Sequence, residues 1–245
     1  MSQETVSEQD GSIEAGRPRR WGFEQSPVNI RTDLLTHRRL PRLEFAYGNS
    51  AKIELEYVRH PADEPPGLGV HRPEENVAGH IRSHDHHLRV GDADYVLSEV
   101  HWHTPSEHLI DGRTFWAEHH LKHHRVDDPG DALVVAVFWE AGEDHPDLQR
   151  LVREFPRCRD NAEIITVDSV DLTRLVPTER ASYRYRGSLT TAPYSEGVSW
   201  IVMASPLTAR AATLAELETD FPGGTARSAH PLYRRTIETD VPRVR

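Results

Sequence analysis

Cysteine, lysine and long apolar runs are scarce in this sequence. The shortage of cysteine and of apolar runs limits the disulfides and membrane spans that the chain can form. Cys158 is the only cysteine in 245 residues, so no intrachain disulfide can form, and a reducing compartment is the simplest interpretation. No apolar run approaches the length of a membrane span. Residues 1–21 also lack the hydrophobic centre of a signal peptide, so we expect a cytoplasmic protein that does not enter a membrane.

Basic residues are outnumbered by acidic ones, 29 Lys and Arg against 39 Asp and Glu. The formal net charge is −10, and no basic stripe with interleaved aromatic residues is present, which argues against nucleic-acid binding. The only lysines are Lys52 and Lys122, whereas arginine is abundant. Since this chain uses arginine for nearly all of its basic positions, a lysine within the histidine-rich segment is unusual. The role of Lys122 is therefore considered below.

The chain is long enough to bury the core of one large domain. Residues 1–18 are polar and charged, so we expect a mobile tail there and a domain over residues 19–245. A stretch at about residues 60–79, richest in Pro, Gly and acidic residues up to Asn76, is predicted to be an inserted surface loop.

Short segments rich in β-branched and aromatic residues predict strands, since Gly, Asp, Asn and Pro separate them. These segments are residues 42–47, 51–58, 87–103, 114–124, 131–141 and 197–205. Apolar periodicity predicts amphipathic helices at residues 145–155 and 208–221. The pattern predicts a mixed, mainly β fold with one large twisted sheet and peripheral helices.

The segment HWHTPSEHLIDGRTFWAEHHLKHH, residues 101–124, carries the clearest chemical signal. Asp-Gly at residues 111–112 predicts a two-residue hairpin turn, which places His103 opposite His120 and His101 opposite Lys122. Because side chains alternate along a strand, His101, His103 and His120 then share one face and His119 takes the other. A one-residue bulge would exchange His119 and His120.

A His-x-His pair with a third histidine is typical of catalytic zinc, because three ligands leave a fourth position open. The ligand type alone also leaves cobalt, nickel and iron open, and exposed strand histidines without a metal are the alternative. Glu99 and Glu118 each precede one of these histidines by two residues. Either carboxylate could accept the free imidazole N–H, or could simply be solvated.

VHWHTPSEH and AEHHLKHH resemble the zinc signature of the α-class carbonic anhydrases. QSPVNI, GSLTTAPYSEGVSWIV and TARSAHPLYRR agree with that family in order and spacing, so the resemblance covers about residues 21–235. It implies a largely antiparallel twisted sheet with zinc at the base of a conical cleft. The implied reaction is reversible hydration of carbon dioxide to bicarbonate by zinc-bound hydroxide.

The resemblance also implies the roles of individual residues. His101, His103 and His120 match the zinc ligands, and Glu99 and Glu118 match the residues that hold them. The family has glutamine at the position of Glu99, and a carboxylate there would make His101 more basic.

Two threonines match the residues that orient the nucleophile and contact the substrate in the family. Thr190 would accept a hydrogen bond from zinc hydroxide, and Glu107 would orient Thr190 by accepting a hydrogen bond from its hydroxyl. Thr191 matches the neighbour that contacts substrate or bicarbonate. His60 falls near the family's proton shuttle, and His80 is a second candidate for that role.

The resemblance implies an apolar carbon dioxide pocket with walls at Val134, Leu189 and Trp200. Lys122 stands where the family has a small apolar residue. Its stem could extend to solvent, its ammonium could hold a substrate carboxylate, or a neutral amine could act as base, nucleophile or ligand. We therefore expect carbon dioxide hydration that is weak for the family.

Carbon dioxide hydration with a Zn²⁺ cofactor is the expected activity. Two alternatives stay open: a zinc hydrolase or lyase for another small carboxylate or carbonyl compound, and a non-catalytic zinc-binding relative. The expected partner is a small molecule, with no nucleic acid and no membrane, and a homodimer is left open.

Overall fold

A computed structural model of the protein describes residues 22–60, 74–156 and 164–243, without the side chains of His60 and Glu74. The tail expected at residues 1–18 and Cys158 lie outside the described residues. Within them the strands are β1 (Asn29–Ile30), β2 (Thr36–His37), β3 (Leu43–Ala46), β4 (Ala51–His60), β5 (Glu74–His80), β6 (His87–Val90), β7 (Ala93–His103), β8 (Leu109–Ile110), β9 (Ala117–Arg125), β10 (Ala132–Ala141), β11 (Ile164–Val170), β12 (Ser182–Ser188), β13 (Glu196–Met203), β14 (Leu207–Ala209) and β15 (Glu238–Thr239). The α-helices are α1 (Pro146–Arg153) and α2 (Ala211–Asp220).

One large twisted sheet contains most strands of the described part of the chain. Its strand order is β11-β4-β5-β7-β9-β10-β13-β12-β15-β2, with β6 and β3 continuing from β7 and with β14 beside β10. Most neighbours run antiparallel, whereas β10 is parallel to β13 and β14, and β15 is parallel to β2. The predicted mixed, mainly β fold with a large twisted sheet and peripheral helices is confirmed.

Strand β10 shows why the sheet is buried on both sides at its centre. Its first eight residues, ALVVAVFW, form an unbroken apolar run, as expected for a strand without a solvated face. Val135, Val137 and Trp139 pack into the core beneath the helices. Val134 and Phe138 pack into a second core on the opposite face, where Trp200 of β13 also lies. The metal-binding histidines predicted from the sequence lie on this second face.

The two helices cover the first face of the sheet. Helix α1 begins where His145 Nδ1 accepts a hydrogen bond from the Leu148 N–H at 3.2 Å, and Pro146 occupies the first turn. Helix α2 buries Leu214 and Leu217. It begins at Ala211, three residues later than predicted, because the preceding residues pair with β10 as β14.

Among the described strands of seven or more residues, three were not indicated by the sequence patterns. Strand β5 includes residues that were expected in the surface loop, because Glu74–His80 pairs with β4 over its whole length. Its sequence EENVAGH has low strand propensity, so tertiary pairing decides its conformation. Strand β11 pairs with β4 at the edge of the sheet, and β12 pairs with β13.

Two buried histidines on the helix side of β9 are hydrogen-bonded within the core. His119 Nε2 donates to the Leu175 carbonyl at 2.9 Å, and His119 Nδ1 accepts from Trp139 Nε1 at 2.8 Å. His123 Nε2 lies 2.6 Å from the Tyr47 hydroxyl. Burial lowers the pKa of both His119 and His123 to about 3, against a weaker opposite effect of hydrogen bonds to backbone carbonyls. Both rings are therefore neutral in the folded protein.

We predict that the protein loses stability as the pH falls below 6.5. Between pH 6.5 and about 3 the unfolded chain binds protons that buried His119 and His123 do not, so the free energy of unfolding should fall by about 1.4 kcal/mol per pH unit for each ring. Urea unfolding of wild type and His123→Gln at pH 7.5 and 5.5 measures this slope. His84→Gln removes an exposed ring and is the matched control. Equal slopes for all three proteins would contradict the prediction.

Candidate metal centre

Strands β7 and β9 are antiparallel neighbours, and their register brings the candidate ligands together. His101 pairs with His120, and His103 pairs with Glu118. The hairpin prediction paired His103 with His120 and His101 with Lys122, so the predicted register was wrong by two residues. Because a shift of two preserves the alternation of side chains, His101, His103 and His120 still share one face.

The connection between the strands explains the shift. Residues 111–112 do form a two-residue turn, in which the N–H groups of Ile110 and Arg113 each donate to the other residue's carbonyl. Asp111 and Gly112 have φ of 50° and 81°, as a type I′ turn requires. The ladder between β7 and β9 does not reach this turn, because β8 pairs with β1 instead. Residues 104–109 form one arm of the connection and residues 114–117 the other, so one arm is two residues longer.

The three imidazoles converge in the interior. One ring nitrogen of each of His101, His103 and His120 lies within 4.8 Å of the other two. His101 Nε2 and His120 Nδ1 are 3.2 Å apart, and buried His103 Nε2 has no hydrogen-bond partner. An unpartnered buried nitrogen is costly unless a ligand occupies the position that it faces.

The opposite nitrogen of each ring is held by an acceptor, which fixes the position of its proton. These nitrogens are the natural donors, because carboxylates and carbonyls only accept. The three bonds are His101 Nδ1 to Glu99 Oε1 at 2.8 Å, His120 Nε2 to Glu118 Oε1 at 2.8 Å, and His103 Nδ1 to the Thr225 carbonyl at 3.2 Å.

The inward nitrogens therefore present lone pairs, and two facing lone pairs cannot form a hydrogen bond with each other. A cation among the three rings would satisfy them all. Three neutral imidazoles held by outer acceptors are the donor set of catalytic zinc, so the residues present fit this metal.

The electrostatics keep these groups in the protonation states that a metal needs. Burial lowers the pKa of His120 to about 4 and that of His103 well below its ordinary value. Burial alone would raise the pKa of Glu118, but His108 and His120 outweigh it and hold that pKa well below its usual range. The rings of His103 and His120 are neutral and the Glu118 carboxylate is ionised at neutral pH.

Glu118 is itself anchored by a residue that sequence patterns did not indicate. His108 donates to Glu118 Oε1 from Nδ1 at 2.6 Å and to Oε2 from its backbone N–H at 2.8 Å. His108 Nε2 accepts from the Tyr185 hydroxyl at 2.7 Å, and Ser26 Oγ lies 2.9 Å from that hydroxyl. His108 stands within the segment VHWHTPSEH, and its complete burial is the feature that a sequence does not reveal.

A narrow pocket opens beside the histidines. Its cavity volume is about 20 Å³, close to the least that holds a water molecule. The lining residues are Glu99, His101, His120, Lys122, Val134, Leu189, Thr190, Thr191 and Trp200. The structure thus brings the predicted pocket residues and Thr190 together beside the candidate ligands. Trp200 is held with its Nε1 donating to the Ser188 carbonyl at 2.9 Å.

Glu107 lies buried behind the same rings. Its Oε1 accepts from the Arg227 backbone N–H at 2.9 Å and is 3.4 Å from His103 Nδ1. Like the Thr225 carbonyl, Arg227 belongs to the C-terminal segment TARSAHPLYRR. Sequence patterns did not indicate that these two backbone groups reach the metal side.

The two candidate proton carriers differ in how far they are described. His60 ends β4, and its side chain lies outside the described residues. His80 pairs in register with Glu99, but its Nε2 lies 3.1 Å from Glu56 Oε2.

Lys122 has a carboxylate as its charge partner, because its Nζ lies 3.6 Å from Glu99 Oε2.

Comparison with known proteins decides the family. The sequence model described as eukaryotic-type carbonic anhydrase matches residues 15–239. The chain belongs to this family. Carbonic anhydrases from Pectobacterium carotovorum and Klebsiella pneumoniae are 31% and 30% identical to it over 216 and 217 residues. Each alignment covers 88% of this chain and 80% of the relative.

Solved structures of carbonic anhydrases share the fold. An α-carbonic anhydrase from Thermovibrio ammonificans, solved with sulfanilamide, is 26% identical with a TM-score of 0.75, covering 89% of this chain and 87% of that chain. Carbonic anhydrase Cah3 from Chlamydomonas reinhardtii, solved with acetazolamide, is 23% identical with a TM-score of 0.77, covering 98% and 100%. The resemblance stated from sequence motifs is confirmed. In the described part of the chain, no helix has the length and apolar character needed to cross a membrane.

We predict one Zn²⁺ per chain, held by the three converging rings. His120→Ala should abolish stoichiometric zinc, because it removes one of three ligands. His119→Gln should keep zinc, because both nitrogens of His119 are bonded on the other face of β9. Metal analysis after dialysis against a weak chelator measures the difference. Zinc content that follows His119 instead would contradict the assignment.

Proposed function

We propose that this protein is a zinc enzyme that reversibly hydrates carbon dioxide to bicarbonate. The supporting observation is the set of three inward lone pairs on His101, His103 and His120, each fixed by an outer acceptor, beside a small pocket. Family membership supports the reaction class. Bound Zn²⁺ would lower the pKa of a water molecule, so that hydroxide is available near neutral pH.

The protein's own residues would orient that nucleophile. Glu107 is buried and fixed by the Arg227 N–H, and we propose that its carboxylate accepts a hydrogen bond from the Thr190 hydroxyl. The oxygen of Thr190 can then only accept a hydrogen bond from the nucleophile, which directs a lone pair toward the substrate.

The pocket suits an uncharged linear substrate. Val134, Leu189 and Trp200 supply apolar walls, and the Trp200 N–H is already bonded to a backbone carbonyl. We propose that Thr191 contacts the substrate or bicarbonate. The stem of Lys122 narrows the pocket, so hydration slower than is usual in the family remains our expectation.

A larger carboxylate substrate would need a free cation at the pocket wall. The ammonium of Lys122 already lies beside the Glu99 carboxylate, and the cavity is small. Both features favour carbon dioxide over the hydrolase or lyase alternative. A non-catalytic zinc-binding protein would not need a nucleophile-orienting threonine in the pocket.

We predict that the zinc-loaded protein hydrates carbon dioxide, as measured by stopped flow with a pH indicator. Thr190→Ala and Glu107→Gln should each keep zinc and lower turnover at least about tenfold, the scale of one lost preorganised contact. Thr208→Ala changes an exposed threonine of β14 and should keep full activity. Wild-type protein with one zinc and no hydration above buffer would refute the proposed function.

The proton released in each turnover must reach solvent. We propose His60 as the carrier, with His80 as the alternative, because imidazole exchanges protons near neutral pH. In weak buffer, His60→Ala should lower turnover at least about tenfold, because a positioned proton carrier typically contributes about a hundredfold or more, and added imidazole should restore it. The same response in His80→Ala alone would transfer the role to His80.

A further inference from the structure

Glu99 joins two side chains of the pocket. Its Oε1 accepts the hydrogen bond of His101 Nδ1 at 2.8 Å, and its Oε2 lies 3.6 Å from Lys122 Nζ. The side chains of Glu99 and Lys122 are 20% and 36% exposed, so solvent screens their attraction only in part. One carboxylate thus bridges an ammonium group and a candidate zinc ligand.

A β-bulge at Ser98 creates this arrangement. Leu97 pairs with His123, but the next paired position joins Glu99 to Lys122, so the register shifts between them. Leu97 belongs to the core on the helix side, and the bulge turns Glu99 to the metal side. Ser98 Oγ donates to the Lys122 carbonyl at 3.1 Å, which ties the bulge to the residue that pairs with Glu99.

The Glu99 carboxylate is shared between two partners. Oε1 accepts the His101 N–H and Oε2 faces the Lys122 ammonium, so each oxygen has its own partner. A carboxylate that accepts an imidazole N–H raises the basicity of that ligand. An ammonium at the second oxygen draws charge in the opposite direction, because it stabilises the negative charge on the carboxylate.

We propose that Lys122 is a positioning residue that acts on zinc through Glu99 and His101. Its ammonium offsets the charge of the carboxylate and holds Oε2, which sets the orientation and donor strength of the His101 ring. The Glu99 carboxylate stands between the lysine and the imidazole, so an ammonium group is tolerated beside a site for a divalent cation. This inference requires from the proposed function only that zinc is bound; it does not require that carbon dioxide is hydrated.

A double-mutant cycle in zinc affinity tests this role. Methionine keeps an unbranched stem and removes the ammonium, and competition with a chelator gives the Kd of each variant. Glu99→Gln should weaken zinc binding about tenfold, the lower end for residues that hold a ligand. Lys122→Met should tighten zinc binding about threefold or more, because the unbalanced carboxylate makes His101 a stronger donor.

The deciding comparison is Lys122→Met in the Glu99→Gln background. There the substitution should change the Kd by less than about twofold, because an amide carries no charge for the lysine to offset. Lys122→Arg should keep the wild-type Kd, because it keeps the positive charge. The visible absorption of the Co²⁺-loaded protein gives a second readout and should shift in Lys122→Met.

Lys52→Met is the matched control, because it removes the other lysine from an exposed position on β4. An equal change of Kd in both backgrounds would mean that Lys122 acts directly on the metal and would overturn the inference. A Kd in Lys122→Met that matches that of Lys52→Met would overturn it as well. Wild-type protein that binds no zinc would overturn the proposed function too, so the two failures are distinguishable.

Discussion

The antiparallel pairing of β7 with β9 is the constraint on which the site depends. This ladder places His101 opposite His120 and leaves His103 one pleat further along the same face. Once the pairing is set, the hydrogen bonds that His101 and His120 donate to Glu99 and Glu118 follow, because each carboxylate lies two residues from its histidine on the same strand face. The site is therefore built on two central strands rather than on loops, which fixes its geometry closely.

Strand β9 also carries buried histidines that do not keep a nitrogen free for a metal. On the metal face of β9 a ring must keep one lone pair free, whereas on the helix face His119 uses both nitrogens within the core. The distinction comes only from strand alternation, since both kinds of ring are buried and neutral. Histidine abundance in a strand is thus compatible with one metal site and a well-satisfied core.

Much of the fold and of the site was accessible from the sequence, and the failures have physical causes. Faces were predictable because alternation is local, so His120 was separated from His119 without any tertiary information. The pairing register was not predictable, because β8 leaves the hairpin to pair with β1, and a distant segment decides that choice. The partnership of Glu99 with Lys122 was missed for the same reason. His108, Tyr185 and the Thr225 carbonyl became visible only when segments far apart in sequence were packed together.

The unequal arms around the turn at Asp111 and Gly112 have a consequence for how this region can vary in length. The arms differ by two residues, and an even difference leaves every side chain on its face of the sheet. Gain or loss of one residue would instead turn His119 toward the metal and strip Trp139 and Leu175 of their buried partner. In natural variants, insertions or deletions of an even number of residues in this connection should therefore be tolerated more readily than those of an odd number. An odd change should be tolerated only where a β-bulge restores the alternation of side chains.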